Sequence, residues 1–509
     1  SFTTTLTGDK EQDEEYLLGG VIAADGTYKF TETSDITAVS AINTAKDLKI
    51  DATGKTLTVN TAGTDSAAIK VLNDGGSKVD IKADKLVIKS SSEYAGKNSG
   101  IYAGDWKTTR KNVNITADVD ITATNTVGNN NYVYGVLASK ADITVNGNLK
   151  ANIDGGKGGY DHTSVSALIA QGSSYRKYAS TITVNGDVDI TANGNGLHAN
   201  NNGAVVTVNG GGAITVNDSS TKGGYAALRA GNGTINMNVA LANGKATGGL
   251  GKDVAINGNL AAIKAGDQTA SVINLALDTA KSSLEGVSYM TEGNGQINLW
   301  LQNGATWTNE QQGVLPSVWG GEQFKGSYVT NLIGGTNADN AGQIYQKDSN
   351  NLTIDTLSGS IRVIYDHEFE DAETRAAGDK KIVYKAGDTV INNAKDGSQV
   401  IMATGSNGIN TFDKDSVEDA FKGLANKLIY KDAEKNPGNL KAELQLGGGL
   451  TGSNVSWSGE IEWDGNNGSY KLDSAEQSIK LLYDEDAVSK DTRAAEYGGP
   501  QQGTRQPLS

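Results

Sequence analysis

A four-residue pattern returns through residues 68–289 at a nearly constant interval, and it limits what this chain can fold into more than any other feature. The pattern is a small residue, an aliphatic residue, any residue, then usually Ala. It reads Ala68-Ile69-Lys70-Val71, Gly100-Ile101-Tyr102-Ala103, Gly135-Val136-Leu137-Ala138, Ala167-Leu168-Ile169-Ala170, Gly196-Leu197-His198-Ala199, Ala227-Leu228-Arg229-Ala230, Ala262-Ile263-Lys264-Ala265 and, more loosely, Gly286-Val287-Ser288-Tyr289. The aliphatic positions are spaced by 32, 35, 32, 29, 31, 35 and 24 residues. Units of this length cannot bury an apolar face alone and must stack on their neighbours.

Between these marks lie pairs of alternating segments such as "VNITADVDITA" (113–123), "ITVNGNLKANI" (143–153), "ITVNGDVDITA" (182–192) and "VTVNGGGAITV" (206–216). A period of two with β-branched residues predicts strands buried on one face. Asn-Gly in isolation favours an antiparallel hairpin. Identical units at this spacing instead favour coils, each strand pairing in parallel with its equivalent one coil away. The expectation is an all-β chain, a parallel β-solenoid with about three short strands per rung. Loops such as "AGDWKTTRKN" and "QGSSYRKYAS" then leave the coil at related corners.

Composition agrees with a thin core. Hydrophobic residues make up 37% of the 509, with 65 Gly and 4 Pro, which is too little bulk for the deep core of a compact enzyme of this length. There is no Cys, so neither a disulfide framework nor a thiolate metal site is available. No apolar run reaches 18 residues, and "SFTTTLTGDK" lacks the regions of a signal peptide, so the chain reads as a mature protein or a piece of one.

The ends differ from the middle. Residues 1–45 read as an acidic segment covering the first open edge, residues 46–348 as the solenoid, residues 349–490 as C-terminal β modules, and residues 491–509 as a linker. Trp300, Trp307, Trp319 and Phe324 gather as in a closing rung, and "NNLTIDTLSGSIRVIYDHEF" (350–369) reads as two strands across a Ser-Gly turn. One helix is expected near 416–428, with Asp415 and Glu418 as a capping box and Val417, Phe421, Leu424 and Leu428 on one face. The segments 359–381 and 477–499 match loosely and suggest two related edge modules.

The Gly/Asn/Thr-rich solenoid, "ATWTNEQQG", "NNLTIDTLSGSIRVIYDHE" and "EDAFKGLANKLIY…GNLKAELQLGGGLT" together resemble the passenger regions of bacterial type V autotransporters, most closely the long adhesin-like ones. The resemblance covers most of the chain and is strongest over 300–470. It implies a right-handed parallel β-helix, a C-terminal autochaperone segment, display on a Gram-negative outer surface, and an outer-membrane β-barrel as the chain's own partner. Neither export signal nor barrel is present in this sequence, so the expectation is a processed or truncated passenger.

No concentrated chemistry accompanies the repeat. His162, His198 and His367 are the only histidines, and no Gly-Asp-Ser-Gly stretch occurs. "GGKGGYDHT" (155–163) occurs once, where Ca²⁺-binding glycine repeats recur in tandem. Asp118, Asp120, Asp187 and Asp189 share outward faces, and stacking "ADVDITA" on "NGDVDITA" predicts a row of acids: a carboxylate cleft for sugar chemistry or a Ca²⁺ site, or solvated outward positions. His198 occupies the variable position of the mark, held elsewhere by Lys70, Tyr102, Leu137, Ile169, Arg229 and Lys264, and is read as an ordinary surface or ladder residue.

Aromatic distribution carries the functional expectation. Tyr102, Trp106, Tyr132, Tyr134, Tyr160, Tyr175 and Tyr178 lie near the marks or in their loops, with Tyr94 and Tyr225 beside them. Lys107, Arg110 and Arg176 accompany them, and residues 90–265 hold 14 Lys and Arg against 11 Asp and Glu in a chain of net charge −15. Tyr and Trp give large contact area with few rotors to freeze, which suits recognition of sugars or proteins. The expectation is a non-enzymatic adhesin without cofactor or metal, with a polysaccharide-active β-helix enzyme or a structural spacer of a larger surface protein as the alternatives. The adhesin binds host-cell glycans or proteins, or identical passengers on neighbouring cells. Nucleic acid is excluded by the acidic balance.

Overall fold

The structure is a computed structural model. From residue 26 to residue 462 it describes the chain except for 37–38, 43–47, 63–65, 73–76, 93–96, 105–109, 129–130, 158–160, 174–177, 219–223, 267, 292, 316–322, 372–379, 406–413 and 447–456. Outside that span it describes 3–6, 17–18, 21–22 and 478–483. The chain divides into two compact units: residues 1–276, 289–297 and 311–323 form the first, and 277–288, 298–310 and 324–509 the second.

The first unit is a parallel β-solenoid. One coil consists of Tyr132–Ser139, Ala141–Asn146 and Leu149–Asp154. These pair in parallel with Val165–Gln171, Thr181–Val184 and Val188–Asn193 of the next coil. Three strands per coil is the expected count.

Interior side chains stand in rows, because in-register parallel pairing puts each residue over its equivalent. The mark supplies one row, Ile69, Ile101, Val136, Leu168, Leu197, Leu228 and Leu260. A second row, two residues on, is Val71, Ala103, Ala138, Ala170, Ala199, Ala230 and Ala262. The second strand of each coil contributes Ile50, Ile81, Ile115, Val145, Val184, Val208, Met237 and Leu275. From Ile101 to Leu260 the mark row is wholly buried. At about 1.5–3 kcal/mol for each fully buried aliphatic side chain, these repeated rows are what hold the coils together.

Two details of the repeat are corrected. Leu260, not Ile263, stands beside Leu228, and Ile263 falls opposite Gly231. At the other end the row continues into residues read as an edge segment, since Val39 pairs with Ile69 and Thr3–Leu6 pairs in parallel with Gly26–Phe30.

Asn-Gly serves two purposes. Asn146-Gly147 makes a corner between consecutive strands of one coil, and a Cβ on Gly147 would lie 2.0 Å from the Ala117 carbonyl oxygen of the preceding coil. Asn243-Gly244 instead has φ of 52° and 75°, the left-handed pair of a type I′ turn, and joins the antiparallel hairpin Val239–Ala242 and Lys245–Gly249. That hairpin is an insertion within a coil. Buried Asn side chains close other corners: Asn232, at φ 55°, accepts from the Ala265 and Gly266 amides at 2.8 Å each and donates to Thr269 O at 2.6 Å. Asn tolerates this left-handed backbone and satisfies the amides it exposes.

In the second unit the interior row is Leu284, Trp307, Ile344, Val363, Met402 and Leu444. Leu352–Ser358 and Ser360–Tyr365 meet at Gly359, φ 76°, as two strands across a Ser-Gly turn, each pairing in parallel with neighbouring coils. Ser360–Tyr365 has a strand on both sides, whereas Ser478–Tyr483 pairs antiparallel with Trp457–Glu462, so the two loosely matching segments sit in different settings. The helix spans Lys414–Asn426 and buries Val417, Phe421 and Leu424. Two helical details change: Leu428 is buried from the strand Leu428–Tyr430, and Asp415 lies inside the helix rather than capping it. Among the described residues no helix is long and apolar enough to cross a membrane.

Candidate functional site

The variable position of the mark and its outward neighbours form the outer face of the mark strands. Tyr102 on Lys97–Gly104 stands beside Leu137, and Tyr134 on Tyr132–Ser139 stands beside Ser99. Tyr132 pairs with Lys97, whose Nζ lies 5.9 Å from the ring centroid, within reach of a cation–π attraction. Two adjacent strands thus bring Tyr102, Tyr132 and Tyr134 to one outer face, all three partly exposed. Desolvation, followed by the fields of Tyr132, Asp161 and Tyr225, lifts the Tyr134 hydroxyl well above the ordinary phenol range.

Arg110 is placed at the following corner. Its guanidinium binds both carboxylate oxygens of Asp142, and Thr181 Oγ1 donates to the same carboxylate. The hydrogen bond to Asp142 raises the Arg110 pKa, with the fields of Asp142 and Tyr178 adding to it against desolvation. Tyr178 belongs to the loop between Val165–Gln171 and Thr181–Val184. That is the same corner of the coil, two coils further on, as the loop carrying Arg110. Trp106, Lys107, Tyr160, Tyr175 and Arg176 lie outside the described residues, as does Tyr94.

The acidic row is corrected. Lys85, Asp118, Asp120, Asn148, Lys150, Asp187 and Asp189 line an open groove of about 330 Å³. Within it Asp120 and Asp189 are not neighbours, because the coil between them places Lys150 in their row. Two coil spacings separate those carboxyls by about 10 Å, with a cation between them. The other two acids are corner caps. Asp118 accepts from Asn148 N at 3.0 Å, Asn148 Oδ1 from Asp187 N at 2.9 Å, and Asp187 from Gly211 N at 2.8 Å. Such a row alternates charge and ties coils together.

A second outward ladder is uncharged. Asn185 donates to Asn146 Oδ1 at 2.7 Å and Asn209 to Asn185 Oδ1 at 2.8 Å. Among the described residues no group of three or more His, Asp or Glu side chains is placed to hold a metal ion.

His198 is not at the surface. It is fully buried, as is Ile169 before it, and Arg229 after it is 4% exposed, although all three point outward from the coil. Residues of the loop before Val165–Gln171 close over them: Asn195 Nδ2 donates to His162 O at 2.8 Å, and the charges of Asp161 and His162 act on this pair. His198 Nδ1 meets Ser166 Oγ at 2.9 Å. Burial, then Arg229, pulls His162 down to about 4, with Asp161 opposing. Substitution along the row says nothing of burial, so the chemistry of the variable position could not find this cluster. The signal lay in loop length, since 155–164 and 217–227 are the insertions that follow the third strand.

Comparison of the chain with protein-family models, with curated proteins and with solved structures finds no match to any of them.

Proposed function

We propose that this chain is the passenger of a type V autotransporter, displayed on a Gram-negative outer surface by a β-barrel, and that it acts as a non-enzymatic adhesin. The observation that carries the adhesive reading is the gathering of Tyr102, Tyr132 and Tyr134 on the outer face of two adjacent strands. Partly exposed rings on a rigid sheet suit a glycan or protein surface, because little rotamer entropy is lost on contact. Avidity then comes from many displayed copies. The alternation of Asp120, Lys150 and Asp189 weighs against a polysaccharide-cleaving reading of the same scaffold, since a cation stands between those two carboxyls.

The test displays the chain on a non-adherent bacterium and scores clumping, binding to host cells and binding to a glycan array. The double variant Tyr102→Ser, Tyr132→Ser is scored alongside. Adhesion by the native chain that the variant loses supports the reading. Background in all three assays defeats adhesion and leaves a spacer role; equal adhesion by both chains moves the contact to another face.

A further inference from the structure

We propose that Arg229 and His198 form a buried site for a small monovalent anion, either a halide or the carboxylate of a small acid. The two residues are neighbours in one outward row, one coil apart, which is about 4.8 Å along the solenoid. His198 is 0% exposed and Arg229 4%.

The hydrogen-bond network fixes what each can offer. Ser166 Oγ is wholly buried, and among the described residues His198 Nδ1, 2.9 Å away, is the acceptor within reach of its proton, so the hydroxyl donates to the ring. With Nδ1 accepting, the proton of the neutral ring sits on Nε2. Among the described residues, Nε2 has no hydrogen-bond partner, and neither does Arg229 Nη1. Two buried N–H donors on adjacent positions therefore lack an acceptor, and one of them carries a full charge.

Asp161 makes no ion pair with Arg229. Asp161 acts on Arg229 through its field, yet its Oδ1 is occupied within its own turn, accepting from Thr163 N at 2.8 Å and Thr163 Oγ1 at 2.6 Å. Desolvation brings Arg229 down to about 9, with Asp161 and Tyr289 opposing, so the guanidinium is still a cation at neutral pH. Desolvation, then the charges of Arg229 and His162, keeps His198 neutral there. The two side chains thus carry one positive charge between them and offer only donors. On the other side of Arg229 the row carries Ala261, whose side chain offers no acceptor.

Buried charge is stable when paired and hydrogen-bonded, and an occupant with lone pairs, one negative charge and no proton to place meets both needs. A dianion such as sulfate would bring a second charge that nothing matches. Burial of both donors calls for a small occupant, of which chloride, bromide, formate and acetate are the candidates. This inference does not depend on the adhesin reading.

The test uses the purified full chain. Thermal unfolding is followed at constant ionic strength in gluconate, which is too large to enter, with increasing chloride, formate or acetate replacing it. The native chain is expected to show a Tm rise that saturates with anion concentration, and Arg229→Met to show none. The anion that saturates at the lower concentration identifies halide or carboxylate as the preferred occupant. Crystals grown in bromide should give an anomalous peak between Arg229 and His198, an observation that stands even if the variant fails to fold. The same Tm profile in both chains, or a rise that never saturates, overturns the proposal. So does an empty site in bromide, or a peak with no Tm response, which is binding at crystal concentration only.

Discussion

Leu197→Ala tests whether the mark row is the structural core of the first unit. Leu197 is fully buried between Leu168 and Leu228. Truncation removes three carbons, about 2.4 kcal/mol of transfer free energy at about 0.8 per methylene. A cavity term adds to this, because strands hydrogen-bonded on both sides relax little toward the gap, and the total is about 3–4 kcal/mol. In a stack whose stability sums over neighbours the loss is local, and a global melting curve registers it without locating it. Native-state hydrogen exchange resolves it. Protection of Val165–Gln171, Asn195–Val208 and Leu228–Met237 is expected to fall about 100- to 1,000-fold, while Leu48–Ala62 and Ser398–Thr404 keep theirs. A loss below about 1 kcal/mol, or one spread evenly over the chain, would refute the row as the source of stability.

Three further outcomes follow from individual contacts. Trp307→Phe removes the bond from Nε1 to Gly286 O, 2.9 Å long and buried, and the stranded carbonyl should cost about 1–3 kcal/mol in urea unfolding of the second unit. Lys150→Glu places three carboxylates in consecutive coils, and the destabilisation, about 0.2–1 kcal/mol per like-charge neighbour, should shrink in high salt. A salt-independent loss would point to packing instead. His198 is held neutral by burial in the folded chain but takes a proton below about pH 6.5 when unfolded. The unfolded state then binds more protons, so stability falls as pH drops from about 6.5, by up to about 1.4 kcal/mol per pH unit for this one group. His162 adds to the fall in the same direction down to about pH 4. Urea unfolding of the native chain and of His198→Leu between pH 7.5 and 5 measures the difference in slope; equal slopes would mean the imidazole is not desolvated.

The interior was legible because period-two alternation and coil spacing act on the same residues, so Ile101, Val136, Leu168 and Leu197 declared themselves twice. The register failed where those signals separate. Past Leu228 the inserted hairpin lengthens the coil, and "LAAIKA" offers an aliphatic residue at both 260 and 263; the mark fits the second and the pairing takes the first. The acidic row failed for a related reason. Matching "ADVDITA" to "NGDVDITA" skipped the coil carrying Lys150, although likeness between two strands does not make them adjacent. Leu428 satisfied helical spacing and nonetheless belongs to a strand, because a buried aliphatic residue just past a helix end fits either period.

Side chains at successive positions of one strand answer to different constraints. At 69, 101, 136, 168, 197, 228 and 260 every residue is aliphatic, since each must fill the same narrow interior between two like neighbours. One residue on, at 70, 102, 137, 169, 198, 229 and 261, the row runs Lys, Tyr, Leu, Ile, His, Arg, Ala. No interior constraint reaches this row, so its chemistry is free to change at each coil. Whether a position there is wet depends on the loop that happens to lie over it. Lys70, Tyr102 and Leu137 are partly exposed, and from Ile169 to Ala261 the row is buried. A variable outward row that becomes buried while still carrying His and Arg is therefore a stronger pointer to a binding site on such a scaffold than residue type alone. Variation marks the position as released from the coil, and burial of a charge there must be compensated by something the coil does not supply.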